Sequence, residues 1–264
     1  MDPKTVADAF SSSKQDAVFY LKQQGMSETL NLRMEQGSDR IPPDYRDLAR
    51  LHLAIRSRRV LTILEFGSGF STISMADALL KNNQDWSALS NKPRIRNSTL
   101  FQLHTVESSK MWLERTACMI PEHLRAIVTL HYSAAETGLF QDRACHYYAN
   151  LPDIVPDFIY LDGPDPATVT GDIGGLTWRN RDRVVTSGDI LRMEPQLLPG
   201  TMIVIDGRTA NARFLAANLD RNWRVERNTE GEVTVFELQE MPLGPINRET
   251  LRHCLGERAL SWEC

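Results

Sequence analysis

Four carboxylates in this chain stand at the ends of short apolar runs: Glu65, Glu107, Asp162 and Asp206. The first is followed at once by Gly67-Ser68-Gly69, then by Ser71 and Thr72. Glycines let a ligand approach the backbone closely, and serine and threonine are favoured helix caps. Acids at strand ends can bind sugar hydroxyls, cations or protons. They can also simply cap the helices that follow, because negative charge is favoured at a helix N-terminus.

The elements that must carry these residues are legible from periodicity. Val60–Phe66 reads as a strand buried on both faces, and Ile73, Ala76, Leu79 and Leu80 follow at helical spacing. Further strands are expected at Thr99–Val106, Ala126–His131, Asp157–Leu161 and Met202–Ile205. Helices are expected at 45–56, 108–119, 188–198 and 210–219, with 137–152 helical or irregular and 81–98 an inserted polar loop. Two alternating runs, 223–227 and 232–238, close the pattern as a hairpin around Gly231. Strands alternating with helices predict an α/β sandwich on a mostly parallel sheet. Its ligands should lie beyond the strands' carboxyl ends. Three segments are expected: an N-terminal helical cap over 1–57, the α/β domain over 58–240 and a tail over 241–264.

Composition excludes several classes. The chain has 264 residues, 42% hydrophobic and 24% charged, with a formal charge of −4. A nucleic-acid binder would want a basic face. No apolar run approaches the roughly 18 residues of a membrane span. Cys118, Cys145, Cys254 and Cys264 share no C-x-x-C spacing and read as free thiols. With no apolar leader at the N-terminus, the expectation is a cytoplasmic protein acting on a small molecule, without nucleic acid or membrane. A homo-oligomer is the other association open to it; residues 1–40 read as a cap or partner surface.

The glycine turn is incomplete for a dinucleotide. That fingerprint wants G-x-G-x-x-G, and Thr72 stands at the third place. Glu107 also lies well beyond the about 20 residues usual for the ribose acid, the excess matching the polar insertion. An NAD(P)-dependent oxidoreductase is therefore an alternative reading. A non-catalytic binding protein is a second alternative.

Glu65-Phe66-Gly67-Ser68-Gly69-Phe70-Ser71-Thr72 resembles the first motif of class I S-adenosylmethionine-dependent methyltransferases. Glu107 matches the acid after their second strand. Asp157-Phe158-Ile159-Tyr160-Leu161-Asp162-Gly163 is similar to the fourth-strand motif of their small-molecule O-methyltransferase branch, and the terminal hairpin matches their antiparallel strand. The resemblance implies a three-layer Rossmann-like sandwich with a seven-stranded sheet and an antiparallel C-terminal hairpin. It implies S-adenosylmethionine as cofactor and O-methylation of a small polar or sugar-like acceptor. Glu65, Gly67, Ser68, Gly69, Ser71 and Thr72 would surround the amino-acid end of the cofactor. Glu107 would take the ribose, and Ser133 and Ala134 would flank the adenine, with Asp162 nearby.

Asp162 and Asp206 are the expected catalytic pair. In metal-dependent relatives the equivalent acids bind Mg2+, but Gly207 stands where a third ligand would follow, and the next amide is Asn211. Without metal, either acid can serve as a general base, or Asp206 can merely cap the next helix. His131 is a candidate acid–base group or a structural histidine. Trp178, Arg179 and Arg181 in the long loop, with Arg208 and Asn211, are the expected substrate contacts. Trp offers a stacking face and Arg a fork for anions, or the loop is an ordinary solvated surface.

Overall fold

A computed structural model describes residues 1–27, 29–30, 43–180 and 182–262. Short helices α1 (Pro3–Asp8) and α2 (Lys14–Gln23) precede α3 (Tyr45–Arg58). The core then alternates β1 (Thr62–Phe66), α4 (Phe70–Ser87), β2 (Gln102–Glu107), α5 (Lys110–Met119) and β3 (Val128–Tyr132). After β4 (Ala135–Phe140) and β5 (Arg143–Tyr148) come β6 (Phe158–Leu161), β7 (Val169–Thr170) and α6 (Asp189–Met193). The chain ends with β8 (Met202–Asp206), α7 (Thr209–Ala216), β9 (Trp223–Asn228), β10 (Val233–Leu238) and α8 (Pro245–Leu255).

Seven strands form one sheet in the order β3-β2-β1-β6-β8-β10-β9. The first five are parallel, and β10 runs antiparallel to both β8 and β9. An all-parallel dinucleotide sheet would place its strands 3-2-1-4-5-6. Here the last strand is instead threaded back between β8 and β9. Every residue of β1 is buried, as its apolar run demands. One cluster of buried side chains packs α3, α4 and the N-terminal Val6, Ala17 and Leu21 with Ile63, Tyr160 and Val204. A second packs Leu64, Ile159, Ile203 and Phe236 with Tyr148, Trp178 and Ile190.

Three segments differ from the sequence expectation. Residues 137–152 are not helical: β4 and β5 pair as an antiparallel hairpin, joined by β7 into a small second sheet. The turn uses Gln141 and Asp142, with φ of 47° and 63°. Non-glycine residues rarely adopt such angles, so the turn carries no glycine signal. The polar stretch after Leu80 is not all loop, because α4 runs on to Ser87. Its Asn82 amide is buried and donates to the Ile55 and Val60 carbonyls at 3.1 and 2.9 Å. The helix expected over 188–198 stops at Met193 and tightens into a 3-10 turn at Glu194–Gln196, which contains Pro195.

No helix among the described residues is long and apolar enough to cross a membrane. Cys118, Cys145 and Cys254 are free thiols; Cys264 lies outside the described residues.

Candidate active site

A cavity of about 430 Å³ opens over the carboxyl ends of β1, β2, β6 and β8. Its walls include Gly67, Ser68, Gly69, Phe70 and Ser71 from the glycine turn, and Glu107, Trp112 and Met119 beside it. Tyr160, Asp162, Gly163, Asp165 and Pro166 come from β6 and the following loop, Asp206 and Arg208 from the end of β8. Helix α3 and the residues before it add Pro43, Asp44, Asp47 and Leu48. A larger groove of about 820 Å³ beside α1 is lined by Lys4, Asp8, Arg224 and Trp262. It is an open trough remote from the strand ends, and its Lys4 and Asp8 are paired at 2.6 Å.

The glycine turn is held from beneath. Glu65 is fully buried and accepts three hydroxyls, from Ser71 at 2.6 Å, Thr72 at 2.7 Å and Thr105 at 2.7 Å. Burial pushes its pKa up to about 7 against those bonds. Thr72 also accepts the Gly69 amide at 3.1 Å. Glu65 and Thr72 therefore lie below the cavity floor and fix the turn's shape. Gly67, with φ of 97°, packs against the backbone of Asp162 and Gly163. The Gly67 amide donates to the Val106 carbonyl at 2.9 Å, and that of Asp162 to the Phe66 carbonyl at 2.9 Å. A Cβ on Gly69 would meet nothing within 4 Å, so this part of the backbone is open to a ligand.

Glu107 is oriented by its neighbours. Its carboxylate accepts the Ser68 hydroxyl at 3.1 Å and the Ser109 amide at 2.8 Å. Burial raises its pKa, and these bonds oppose the rise.

At the other end, two guanidinium groups sit against three acids. Arg208 donates through Nε to Asp162 at 3.3 Å, through Nη1 to the Pro164 carbonyl at 3.1 Å, and through Nη2 to the Asp162 carbonyl. The Asp162 side chain is 52% exposed. Burial of the rest raises its pKa, and Arg208 opposes the rise. Asp206 is only 18% exposed and lies 4.0 Å from Arg50, which is bound to Asp47 at 2.6 Å. Burial, then the Asp47 carboxyl beside it, pushes Asp206 up to about 8.

This donor set does not fit a divalent metal. No three His, Cys, Asp or Glu side chains converge as ligands among the described residues. Arginines stand against both acids in the place of a cation.

The structure thus gathers Gly67, Ser68, Gly69, Ser71, Glu107, Asp162, Asp206 and Arg208 around one cavity. Other expected residues stand apart from it. The His131 ring is stacked on His104, with nitrogens 3.0 Å apart, on β3 and β2. Ser133 is buried and accepts the Asn150 amide at 2.9 Å, and the Ala134 carbonyl accepts the Ala149 amide. Trp178 packs into the second core cluster, Arg179 is exposed, and Asn211 is buried with its carbonyl oxygen on the Ser187 amide at 2.9 Å. Arg181 lies outside the described residues.

Asp47, Trp112 and Tyr160 were not singled out from the sequence. Asp47 stands one turn before the apolar Leu51 and reads as a solvated helical acid. Tyr160 is hidden in an apolar strand. Trp112 sits three residues after the capping Ser109, which accepts its amide at 3.3 Å.

No family model and no curated protein matches the chain. Among solved structures, an SAH-bound methyltransferase from Podospora anserina is 11% identical and covers 86% of this chain and 94% of its own, with a TM-score of 0.50. The O-methyltransferase TomG from Streptomyces achromogenes, in complex with SAM, is 19% identical over 89% and 96%, with a TM-score of 0.40. An O-methyltransferase from Bacillus cereus in complex with SAH is 14% identical over 84% and 99%, with a TM-score of 0.43. The first likeness shows the fold: the chain has the class I methyltransferase-like, Rossmann-like architecture.

Proposed function

We propose that the chain is an S-adenosylmethionine-dependent methyltransferase acting on a hydroxyl of a small polar acceptor. The observation that carries this reading is the cavity between the Gly67–Gly69 turn and the oriented Glu107 carboxylate. It sits at the strand ends of a sheet whose β10 is reversed.

The residues suit that cofactor. A paired carboxylate such as Glu107 can accept both hydroxyls of a ribose. Trp112 and Met119 offer an apolar wall beside it. The open Gly69 backbone leaves room for the amino-acid end. Six carboxylates line the cavity, Asp44, Asp47, Glu107, Asp162, Asp165 and Asp206, against Arg208. Such a wall favours a cationic ligand.

When bound, S-adenosylmethionine supplies a methyl group on an already activated sulfonium. The protein's task is then to align the acceptor and remove its proton. Asp206, with its carboxyl pushed up to about 8, is basic enough when ionised to take a hydroxyl proton at Oδ. Asp162, fixed by Arg208, accepts a hydrogen bond from the same region. No step requires a metal ligand set.

Isothermal titration with S-adenosylmethionine and S-adenosylhomocysteine tests the reading. Binding at micromolar concentration is expected, and no binding at millimolar concentration sinks it. Asp206→Ala should abolish turnover while sparing cofactor affinity. Equal loss of both removes its assigned role.

A further inference from the structure

We propose that Asp165, in the loop after β6, selects the exocyclic amine of the cofactor's base, in place of the segment after β3. This rests on the methyltransferase reading above. The segment after β3 is closed to a ligand. Ser133 is 2% exposed, and its hydroxyl accepts the Asn150 amide at 2.9 Å. The Ala134 carbonyl accepts the Ala149 amide at 2.8 Å. The residues just after β5 thus lie against both, and neither Ser133 nor Ala134 lines the cavity. A base edge placed against them would give up its hydrogen bonds to water for none.

The loop after β6 offers the missing groups. Asp165 and Pro166 line the same cavity as Glu107, Trp112 and Met119. The Asp165 side chain accepts the Ala167 amide at 2.9 Å and caps a 3-10 turn over Pro166–Thr168. Asp165 is exposed, and a carboxylate has lone pairs for more than one donor. The turn is fastened at its far end. The Thr168 hydroxyl donates to the Asp165 carbonyl at 2.7 Å. At the 2.6 Å contact between Ser108 and Thr168 it is therefore Ser108 that donates. Ser108 directly follows Glu107, so one hydroxyl ties the turn to the end of β2.

The chemistry of these groups names the base. Pro166, Trp112 and Met119 offer apolar surface to a flat ring. A carboxylate accepts hydrogen bonds and donates none. The adenine amine at N6 donates and matches it. A purine without that amine offers the carboxylate no donor.

The test uses the full chain with S-adenosylhomocysteine and its 6-deamino analogue, in which hydrogen replaces the adenine amine. Isothermal titration should show wild type binding S-adenosylhomocysteine about fivefold or more tighter than the analogue. Asp165→Ala should weaken S-adenosylhomocysteine by that factor and leave the analogue unchanged, so the preference disappears. Ser108 is a positioning residue. Ser108→Ala should reduce the preference, and Ser108→Thr, which keeps the hydroxyl, should restore it. A loss of stability alone would weaken both ligands alike. If Ser108→Ala fails to fold, Asp165→Ala alone decides. The inference is overturned if wild type binds the two ligands equally, or if Asp165→Ala keeps the preference. Failure of the wild-type chain to bind S-adenosylhomocysteine overturns instead the reading beneath it, and this inference with it.

Discussion

The Thr72 hydroxyl donates to the Glu65 carboxylate at 2.7 Å, joining the first turn of α4 to the strand before it. The same oxygen accepts the Gly69 amide at 3.1 Å. One side chain thus sets the turn's height above β1. Thr72→Val keeps the shape but removes both bonds. It leaves a buried carboxyl short of a donor and an amide without its acceptor, at about 1–3 kcal/mol. Urea unfolding should show that loss, and cofactor affinity should fall at least tenfold. An unchanged unfolding midpoint would show that the pair does not hold the turn.

Two glycines of the site should respond oppositely to alanine. A Cβ on Gly163 would stand 2.5 Å from the Gly67 amide nitrogen and 2.8 Å from the Tyr148 hydroxyl oxygen. Backbone cannot yield cheaply, so Gly163→Ala should destabilise the protein by about 2 kcal/mol or more. Gly69 is extended, with open space where its Cβ would go. Gly69→Ala should therefore melt within about 2 °C of wild type, yet bind S-adenosylhomocysteine at least tenfold more weakly. Melting curves with titration separate the two. Normal binding by Gly69→Ala would move the ligand away from that backbone.

The contrast shows what the sequence carries. The strand–turn–helix around Gly67, the acid at Glu107 and the final hairpin are local patterns of period and turn chemistry, and all three are in the structure. The β4–β5 hairpin is not local in that sense. Gln141 and Asp142 adopt left-handed angles that their residue types do not announce, and without an Asn-Gly or Asp-Gly signal the strands read as irregular. Asp47 and Asp206 face each other only because α3 packs over the ends of β6 and β8. Tyr160 looks like core, since an apolar run does not say which side chain ends at a cavity. Asn211 and Trp178, expected as substrate contacts, are buried, because nothing local in the sequence marks them as packed.

The C-terminal segment is tied to the sheet by charge. Glu237 of β10 is fully buried, with Arg58 at 2.5 Å and Arg258 at 2.7 Å. Burial alone would raise its pKa, but the two guanidinium groups hold it below the ordinary value. Removing one partner of a buried pair leaves an uncompensated charge. Glu237→Gln should cost about 3 kcal/mol in denaturant unfolding and expose the segment after 245 to protease. Protease resistance equal to wild type would show that the segment is held by its apolar contacts instead.

The buried acids give stability a definite pH dependence. Asp157 is raised to about 6, Glu65 and Asp189 to about 7, and Asp206 to about 8. In each case burial is the first cause. An acid whose folded pKa lies above its unfolded one binds its proton more tightly when folded. Its contribution is whole below the unfolded pKa and is lost as pH rises through the folded one. For Asp206 that window runs from about 4 to about 8, where unfolding costs fall by up to about 1.4 kcal/mol per pH unit. Asp206→Asn cannot ionise, so it should gain on wild type between pH 5 and pH 8, by at least about 1 kcal/mol. Asp47→Asn removes the neighbouring charge and should shift the same effect in the same direction. Guanidinium unfolding at four pH values reads the difference, and parallel curves for wild type and Asp206→Asn would show that Asp206 ionises freely in the folded protein.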